Sequence, residues 1–489
     1  MTTFDKHQLE AIEAINLRKN RKHQNLFICA RAGSGKTTIL IEACKQSKTP
    51  IRIIAFNKVI ADEFTRRLAK EGCNLHRAST LHSLALSCFP ERPTVNARKI
   101  SQIIKKHIGI ADEQYQEALE DLITKLRSYG TESPEYIKRF ISESFDLPLD
   151  LAQEEVYGVV ETILNETRRR WEEEKEINFD EMLYYPLEYG WKIKKELRLF
   201  VDEVQDFNPI QMEWLSELQA HGGQIVCAGD PFQSIYGFRG ASSDACDHLV
   251  SCFRLETKLM PTTYRCFKQI AKLARTIVSD LEVPEWQQQG EIDQLLEPTQ
   301  INRLVKKGET TFILARNHRY LIPQAIKFLK EGLPFTYNDQ KLERSMFFWL
   351  KNISKNMKVE DPSVGAVRSS ISNFLKMFEG RTNKQQYMTD LADVWLDLTK
   401  DAKTMAKASV ALKTLKEITR SRNTELEIAT IHRAKGREAD HVIFIAPEVI
   451  PSQFAITPAE LQQETNLLYI AITRAIKKLT LVPNNMVLL

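Results

Sequence analysis

Residues 30–37 read Ala-Arg-Ala-Gly-Ser-Gly-Lys-Thr, and this stretch decides the fold. It follows an apolar run that ends at Cys29 and precedes a helix-like run that begins at Thr38. Glycines let backbone N–H groups close around phosphate oxygens, and a helix N-terminus adds positive potential there. We therefore predict a phosphate-binding loop in which Lys36 reaches the β- and γ-phosphates and Thr37 binds Mg²⁺. The alternative is a glycine-rich turn between a strand and a helix.

The composition of the whole chain limits its class. With 489 residues, two to four domains are expected. A hydrophobic content of 43% and a charged content of 27% are typical of a soluble globular protein, and a net charge of +4 neither requires nor excludes nucleic acid. The eight cysteines lack zinc or Cys-x-x-Cys spacing, so we interpret them as small buried hydrophobes in a reducing compartment. Without a signal peptide or an apolar run of about 20 residues, we expect a cytoplasmic protein that does not enter a membrane.

Short apolar, β-branched runs recur along the chain, with helix-like stretches between many of them. Strands that alternate with helices predict an α/β fold with parallel sheets, and we expect the functional loops at the C-terminal ends of the strands. The predicted strands are residues 26–30, 51–56, 197–202, 224–228, 311–315, 427–430, 441–445 and 479–482.

Two long segments interrupt this alternation and look helical. Residues 91–177 carry 13 basic and 19 acidic residues, a net charge of −6, whereas residues 341–422 carry 16 and 9, a net charge of +7. We interpret both as insertions into α/β cores, and the second is the better electrostatic candidate for nucleic-acid contact. The alternative is that its lysines only solvate exposed helix faces. In the first segment, apolar residues repeat at the spacing of one helix face: Leu119, Leu122, Ile123 and Leu126.

Two carboxylates end an apolar strand at residues 199–203, which read Leu-Phe-Val-Asp-Glu. An enzyme with a phosphate-binding loop needs an acid at such a position to hold the metal, and Asp202 fits. Glu203 would polarise the attacking water as a general base.

A second apolar strand runs into a polar and aromatic loop at residues 224–241, QIVCAGDPFQSIYGFRGA. An amide such as Gln233, close to a γ-phosphate, can sense whether that phosphate is present. Tyr236 and Phe238 beside Arg239 suit base stacking with neutralisation of the nucleic-acid backbone. The alternative is that these aromatic rings fill the core.

Taken together, these motifs resemble those of the UvrD/Rep/PcrA-type superfamily 1 DNA helicases, over nearly the whole chain except the two insertions. The resemblance implies two RecA-like P-loop NTPase core domains with parallel sheets, each with a mainly helical insertion, and ATP bound between them. The matching segments are residues 7–8 (Q motif), 30–38 (Walker A), 55–58 (Ia), 79–85 (Ib), 202–206 (D-E-x-Q-D), 229–241 (Q-S-I-Y-x-[WF]-R-G-A), 263–265 (IV), 430–438 (V) and 468–475 (VI).

The resemblance also implies roles for single residues. Gln8 would read adenine, Tyr264 would stack on it, and Glu438 would contact the ribose. Arg265 and Arg474 would act as arginine fingers from the second core domain, where a guanidinium stabilises the charge on the transferring phosphoryl group. The other nucleotide-binding positions are Ala32, Gly33, Ser34, Gly35 and Thr38. The DNA-contacting positions are Phe56, His82, Tyr236, Phe238, Arg239 and His432.

The chain departs from the family pattern at a few positions. Ala30 stands where the strict phosphate-loop pattern has Gly, and Arg31 replaces the usual Gly of the family's Walker A, which narrows backbone freedom. Arg437 replaces a common Leu in motif V. Phe238 stands where many relatives carry Trp, which keeps stacking with less area.

The predicted domain limits follow from these motifs. Residues 1–90 and 178–260 form the first RecA-like core and residues 91–177 its insertion. Residues 261–340 and 423–489 form the second core and residues 341–422 its basic insertion.

The resemblance implies an ATP- and Mg²⁺-dependent helicase that moves 3′-to-5′ on single-stranded DNA and separates strands in repair, replication or recombination. Expected partners are single-stranded DNA, single/double-strand junctions and a possible protein partner of an otherwise monomeric chain. One alternative is a translocase that strips proteins from DNA and unwinds poorly. Another is an ATP-gated regulatory subunit of a partner nuclease, for example in phage defence. An RNA substrate is a weaker option.

Overall fold

A computed structural model describes residues 4–19, 22–108, 113–143, 152–191, 198–220, 223–235, 245–295, 301–339, 341–356, 363–378, 382–400, 402, 405–420 and 424–483. The chain divides into two compact units. The first comprises Met1–Arg31 and Gly35–Met260, and the second comprises Ala32–Ser34 and Pro261–Leu489. The predicted limits of the cores and insertions stay predictions.

The first unit alternates strands and helices around a six-stranded sheet and also contains two smaller sheets of two strands each. Its elements are α1 (Lys6–Asn16), β1 (Arg18–Lys19), β2 (Lys22–His23), β3 (Leu26–Ala30), α2 (Lys36–Gln46), β4 (Arg52–Ala55), α3 (Lys58–Lys70), β5 (Arg77–Thr80), α4 (Leu81–Leu86), β6 (Thr94–Val95), α5 (Lys99–Ile108), α6 (Glu113–Ser128), α7 (Pro134–Glu143), α8 (Gln153–Glu174), β7 (Glu176–Ile177), α9 (Phe179–Glu188), β8 (Arg198–Val201), α10 (Pro209–Ala220), β9 (Gln224–Gly229), α11 (Ala245–Phe253) and β10 (Glu256–Met260).

Six strands of the first unit form a fully parallel sheet in the order β10-β3-β9-β8-β4-β5. Successive side chains of a strand point to opposite faces. In β3, Leu26 and Ile28 accordingly belong to one buried cluster and Phe27 to another. Because helices cover both faces, β3 is apolar at every position, as parallel strands usually are.

The segment predicted as the first insertion contains helices α5 to α8. Its four apolar residues at one-face spacing are all buried, which confirms the predicted helix face. They lie in a hydrophobic cluster separate from the two clusters of the sheet.

The second unit repeats the plan of the first. Its elements are α12 (Lys268–Ala274), β11 (Glu291–Gln294), α13 (Ile301–Leu304), β12 (Thr311–Ala315), α14 (His318–Glu331), β13 (Thr336–Tyr337), α15 (Leu342–Asn356), α16 (Val364–Lys376), α17 (Thr382–Leu398), α18 (Met405–Thr419), β14 (Leu426–Thr430), α19 (Ile431–Ala434), β15 (Ala439–Ile445), α20 (Pro458–Thr473) and β16 (Ala475–Val482).

A second fully parallel sheet runs in the order β11-β16-β15-β12-β14-β13. Its core is shared with the helices between β13 and β14, since Trp349 of α15 and Trp395 of α17 lie in the same cluster as Ile313 of β12. The predicted α/β class with two parallel-sheet cores is confirmed. Among the described residues, no helix is both long and apolar enough to cross a bilayer.

Candidate nucleotide-binding and DNA-contact residues

The predicted phosphate loop connects β3 to α2. Gly33 and Gly35 adopt φ values of 73° and 87°, a region that favours glycine. Lys36 is the first residue of α2, and no side chain caps this helix N-terminus. Its first backbone N–H groups therefore point along the helix axis with no intrahelical partner, as in known phosphate sites.

Lys36 lies against the two predicted carboxylates. Its Nζ is 2.8 Å from Oε1 of Glu203. Burial lowers the pKa of Lys36, but the charges of Glu203 and Asp202 outweigh it, so that the pKa is raised. Burial, and then the charge of Glu203, raise the pKa of Asp202 to about 7 against the opposing effect of Lys36. The site thus crowds more negative charge than one ammonium group balances.

The backbone at Glu203 is unusual. This residue has φ 55° and ψ 42°, in the left-handed region that non-glycine residues rarely adopt. Its other carboxylate oxygen accepts a hydrogen bond from the Gln205 side chain. Such conformations cost free energy and cluster at functional sites. The strain and the two contacts together fix where the Glu203 carboxylate points.

Asp230 joins the loop after β9 to this site. Its Oδ2 accepts a hydrogen bond from Nε2 of Gln233 at 2.7 Å, and its backbone N–H donates to Oε1 of Gln205 at 3.2 Å. Gly229 permits this approach, because a Cβ there would lie 2.6 Å from the same oxygen of Gln205. Asp230 was not among the predicted site residues, since its role as a link depends on tertiary contacts.

The departure at Arg31 has a structural explanation. Its side chain is buried and its Nη1 lies 3.4 Å from Oδ1 of Asp230, while its guanidinium sits 4.8 Å from the ring centroid of Phe232. Burial raises the pKa of Asp230, and the charge of Arg31 opposes that rise. Arg31 is therefore an internal counter-charge for Asp230.

Gln8 lies in α1 beside the phosphate loop. It is buried and completes a capping box with Asp5. A Cβ at Gly35 would lie 3.0 Å from Nε2 of Gln8, which places this amide against the start of α2. The structure thus brings together four of the predicted residues of the first unit: Gln8, Gly35, Lys36 and Glu203.

Two predicted DNA contacts follow adjacent strands of the first sheet. Phe56 is half-buried directly after β4, and His82 is half-buried in α4, just after β5. Burial lowers the pKa of His82. The imidazole is therefore neutral at neutral pH. The other three predicted contacts of this unit lie outside the described residues: Tyr236, Phe238 and Arg239.

The two predicted arginine fingers lie together in the second unit. Arg474 is buried, and its Nη1 donates to the carbonyl of Arg437 at 2.9 Å. Arg265 pairs with Glu438 and donates through Nη1 to the carbonyl of Thr473 at 3.3 Å. Burial and the charge of Arg265 lower the pKa of Arg474 to about 9, so that the Arg474 guanidinium remains cationic at neutral pH.

This arginine cluster corrects one expectation. Arg474 directly precedes β16 and Glu438 directly precedes β15, so both lie at the N-terminal edge of the second sheet. The prediction that functional loops follow the C-terminal ends of strands holds for Asp202 and Glu203 but is wrong here. The order of motifs along the chain does not show at which end of a strand each one falls.

Tyr264 and His432 complete the predicted residues of the second unit. The Tyr264 ring lies nearly parallel to that of Trp286, with centroids 6.4 Å apart, and Trp286 is 72% exposed. Sequence reasoning missed Trp286 because no motif marks it. His432 lies in α19 after β14, and burial, followed by the charge of Arg316, holds its pKa well below the usual value.

Comparisons with known proteins agree with this geometry. The UvrD/REP helicase N-terminal domain matches residues 9–251, and the UvrD-like helicase C-terminal domain matches residues 349–485. The chain is 27% identical to the "ATP-dependent DNA helicase Rep" of Buchnera aphidicola subsp. Baizongia pistaciae, over 57% of this chain and 43% of that protein. It is 24% identical to the "ATP-dependent DNA helicase UvrD1" of Mycobacterium leprae, over 52% and 37%.

A third relative matches along more of the chain. The "F-box DNA helicase protein 1" of Schizosaccharomyces pombe is 25% identical over 93% of this chain and 55% of its own length. The chain thus spans about half the length or less of these curated relatives. With both domains of the family matched in order and their motifs assembled as described, the chain belongs to the UvrD/Rep-like superfamily 1 helicases.

Proposed function

We propose that this chain is an ATP-dependent DNA helicase that moves 3′-to-5′ on single-stranded DNA. The observation that carries the proposal is the contact of Lys36, at the start of α2, with Glu203, which itself lies after β8 next to Asp202. A phosphate-binding lysine, a metal-binding acid and a general base are the minimum set for phosphoryl transfer to water. The direction of movement comes from the family resemblance alone.

The donor set suits magnesium. Mg²⁺ prefers oxygen ligands and is usually held by one or two carboxylates plus substrate phosphates. Thr37 supplies a hydroxyl next to Lys36, and Asp202 supplies a carboxylate whose pKa is raised by burial and then by the charge of Glu203. When bound, Mg²⁺ would neutralise charge on the phosphates. Thr37 and Asp202 would hold it, and its charge would keep Asp202 ionised.

Hydrolysis needs a base and a cationic environment for the leaving charge. Glu203 would accept a proton from the attacking water. At the same time the oxygen of this water would bond to the γ-phosphorus, and the bond between the γ-phosphorus and ADP would break. Lys36 would neutralise the β- and γ-phosphates, and Gln233 would contact the γ-phosphate. Arg265 and Arg474 would stabilise the charge that builds up in the transition state.

The adenosine would be recognised by polar and aromatic groups. Gln8 would bond to the edge of adenine, Tyr264 would stack on its face, and Glu438 would bond to the ribose. The remaining loop residues would donate backbone N–H groups to the phosphates: Ala32, Gly33, Ser34, Gly35 and Thr38.

On the DNA side, stacking and phosphate neutralisation would hold a single strand. Phe56 would stack on a base. His82 and His432 would bond to DNA as neutral imidazoles, because burial lowers the pKa of both. Tyr236, Phe238 and Arg239 would add stacking and one positive charge. We propose single-stranded DNA and single/double-strand junctions as the bound structures, together with a protein partner.

The test is ATP hydrolysis with and without single-stranded DNA, followed by unwinding of 3′-tailed and 5′-tailed duplexes. We expect DNA to stimulate hydrolysis, 3′-tailed duplexes to be unwound, and Glu203→Gln to bind ATP while hydrolysing it very slowly. Movement on bare strands without unwinding would instead favour the protein-stripping translocase. Hydrolysis that ignores DNA would contradict the proposal, and unwinding from 5′ tails alone would contradict the direction.

A further inference from the structure

The side chain of Arg437 ties three elements together at the N-terminal edge of the second sheet. It pairs with Glu427 of β14. Its Nη2 donates to the carbonyl of Arg433 in α19 at 3.2 Å, and its guanidinium lies 5.0 Å from the ring centroid of Phe312 in β12. An arginine can make these contacts at once because its guanidinium is flat and has several donors.

The backbone around Arg437 holds the two arginines of the proposed site. The carbonyl of Arg437 accepts a hydrogen bond from Nη1 of Arg474, and the next residue, Glu438, pairs with Arg265. The N–H of Ala439 donates to the carbonyl of Arg474 at 3.0 Å. Residues 437–439, which we call the arginine-holding turn, thus contact both cationic side chains.

Two features make this turn depend on an anchor. It follows Gly436, which has a φ of 81°, in a region that favours glycine. Glycine also allows the backbone a wide range of conformations. The turn also holds two guanidinium groups of like charge close together, and each lowers its electrostatic energy by moving away from the other. Fixed acceptors keep both in one orientation, and two of these acceptors, the carbonyl of Arg437 and the carboxylate of Glu438, belong to this turn.

We infer that Arg437 is a positioning residue for hydrolysis: its contacts with Glu427, Phe312 and Arg433 fix the turn that orients Arg474 and Arg265. This inference rests on the proposed function. The side chain of Arg437 is a third exposed, and that of Glu427 is a quarter exposed. A partly exposed ion pair contributes little to stability, whereas a small displacement of a catalytic group costs much in rate.

The experiment compares Arg437→Met with the control variant Lys477→Met. Lys477 forms a half-exposed ion pair with Asp440 on the same sheet, and this pair contacts neither Arg265 nor Arg474. For Arg437→Met we expect kcat to fall about tenfold or more, with the KM for ATP within twofold and the melting temperature nearly unchanged. Affinity for ADP with magnesium and aluminium fluoride, which mimics the transition state, should fall by a similar factor, and affinity for ADP should not. Lys477→Met should match the wild type in kcat, in KM and in both affinities.

A double-mutant cycle with Glu427→Gln tests whether Arg437 acts through its contact with Glu427. If Arg437 acts through Glu427, the double variant should be no slower than the worse single variant. Should Arg437→Met fail to fold, Arg437→Lys serves instead, because it keeps the charge and loses the flat, multiple contacts.

Arg474→Gln separates the two ways of failing. If Arg474→Gln loses activity while Arg437→Met keeps wild-type kcat and wild-type affinity for the aluminium fluoride complex, the inference is wrong and the proposed function stands. If Arg474→Gln itself hydrolyses ATP at the wild-type rate, the proposed role of the arginines is wrong, and the inference falls with it.

Discussion

The two sheets of this protein have the same parallel plan but present opposite chemistry at opposite edges. At the C-terminal edge of the first sheet, Asp202 and Glu203 surround one lysine, Lys36. At the N-terminal edge of the second, Arg265 donates to the carbonyl of Thr473, shortly before β16, and Arg474 donates to that of Arg437, shortly before β15. Similar scaffolds thus carry two carboxylates around a lysine in one case and two neighbouring guanidinium groups in the other. The loops, not the sheets, decide the chemistry.

The helical segments differ in a similar way. The acidic segment between β6 and β7 has a hydrophobic cluster of its own, whereas the helices between β13 and β14 share their core with the second sheet. A change in the acidic segment can therefore remain local, while one at Trp349 or Trp395 reaches the strands of the second sheet. The basic segment is bound more closely to its sheet and carries the charge that suits nucleic acid.

At the first edge, we expect the largest loss of ATP turnover from a substitution of Lys36. Lys36→Ala should reduce ATP turnover to background, because it removes the ammonium that contacts Glu203 and that we propose to bind the phosphates. The measurement is steady-state hydrolysis with saturating single-stranded DNA, alongside circular dichroism to show that the fold is intact.

Lys45→Ala is the matched control, since Lys45 lies in the same helix and pairs with Glu42 and Glu71 on the surface. It should keep full turnover. If Lys36→Ala also keeps it, the assignment of the phosphate site is wrong.

The second edge is tested at its buried arginine. Arg474→Gln should lower kcat by about 10³-fold, the lower end of the effect of arginine fingers, while ATP binding changes little. Single-turnover hydrolysis and equilibrium binding of a labelled, non-hydrolysable ATP analogue separate the two quantities. Arg275→Gln is the control, since Arg275 is exposed and its side chain donates to the carbonyl of Ser279, away from the two arginines of the site. Equal losses in binding and in kcat would show that Arg474 acts on the ground state instead.

The crowding of carboxylates at the first edge also predicts an effect of pH on stability. The pKa of Asp202 is raised to about 7, so between pH 4 and 7 the folded state retains a proton that the unfolded state releases. Stability is therefore lost as pH rises through this window, and the full penalty, up to ~4 kcal/mol, is present above pH 7. Asp202→Asn removes it, so this variant should gain melting temperature over the wild type at pH 8 and much less at pH 5.

For Asp440→Asn we expect a change in melting temperature of the opposite sign. A hydrogen bond from Lys477 lowers the pKa of Asp440, so the native carboxylate contributes stability above pH 4 that the asparagine lacks. A gain for Asp202→Asn that is the same at both pH values would show that packing, not ionisation, is responsible.

Much of this contrast could be predicted from the sequence, but its geometry could not. All eight predicted apolar strands are present, because buried parallel strands are apolar throughout. Short or polar strands at the sheet edges, such as β5 and β10, were missed. An edge strand is partly exposed and tolerates polar residues, so its sequence contains no continuous apolar run. Lys36 and Glu203 were predicted from local motifs. The roles of Gln205 and Asp230 arise only where separate loops meet, and no spacing along the chain encodes that.

The smallest expected effect concerns base recognition. Gln8 of the first unit offers a polar amide, whereas Tyr264 of the second is extended by the exposed, nearly parallel ring of Trp286. Aromatic contacts of this kind contribute about 0.5–1.5 kcal/mol, so Trp286→Ala should raise the KM for ATP roughly 2- to 10-fold with kcat unchanged. Inhibition by tripolyphosphate, which has no base, should not change. ADP should also alter a part of the tryptophan fluorescence that Trp286→Phe removes. An unchanged KM together with the full fluorescence response in Trp286→Phe would restrict base stacking to Tyr264.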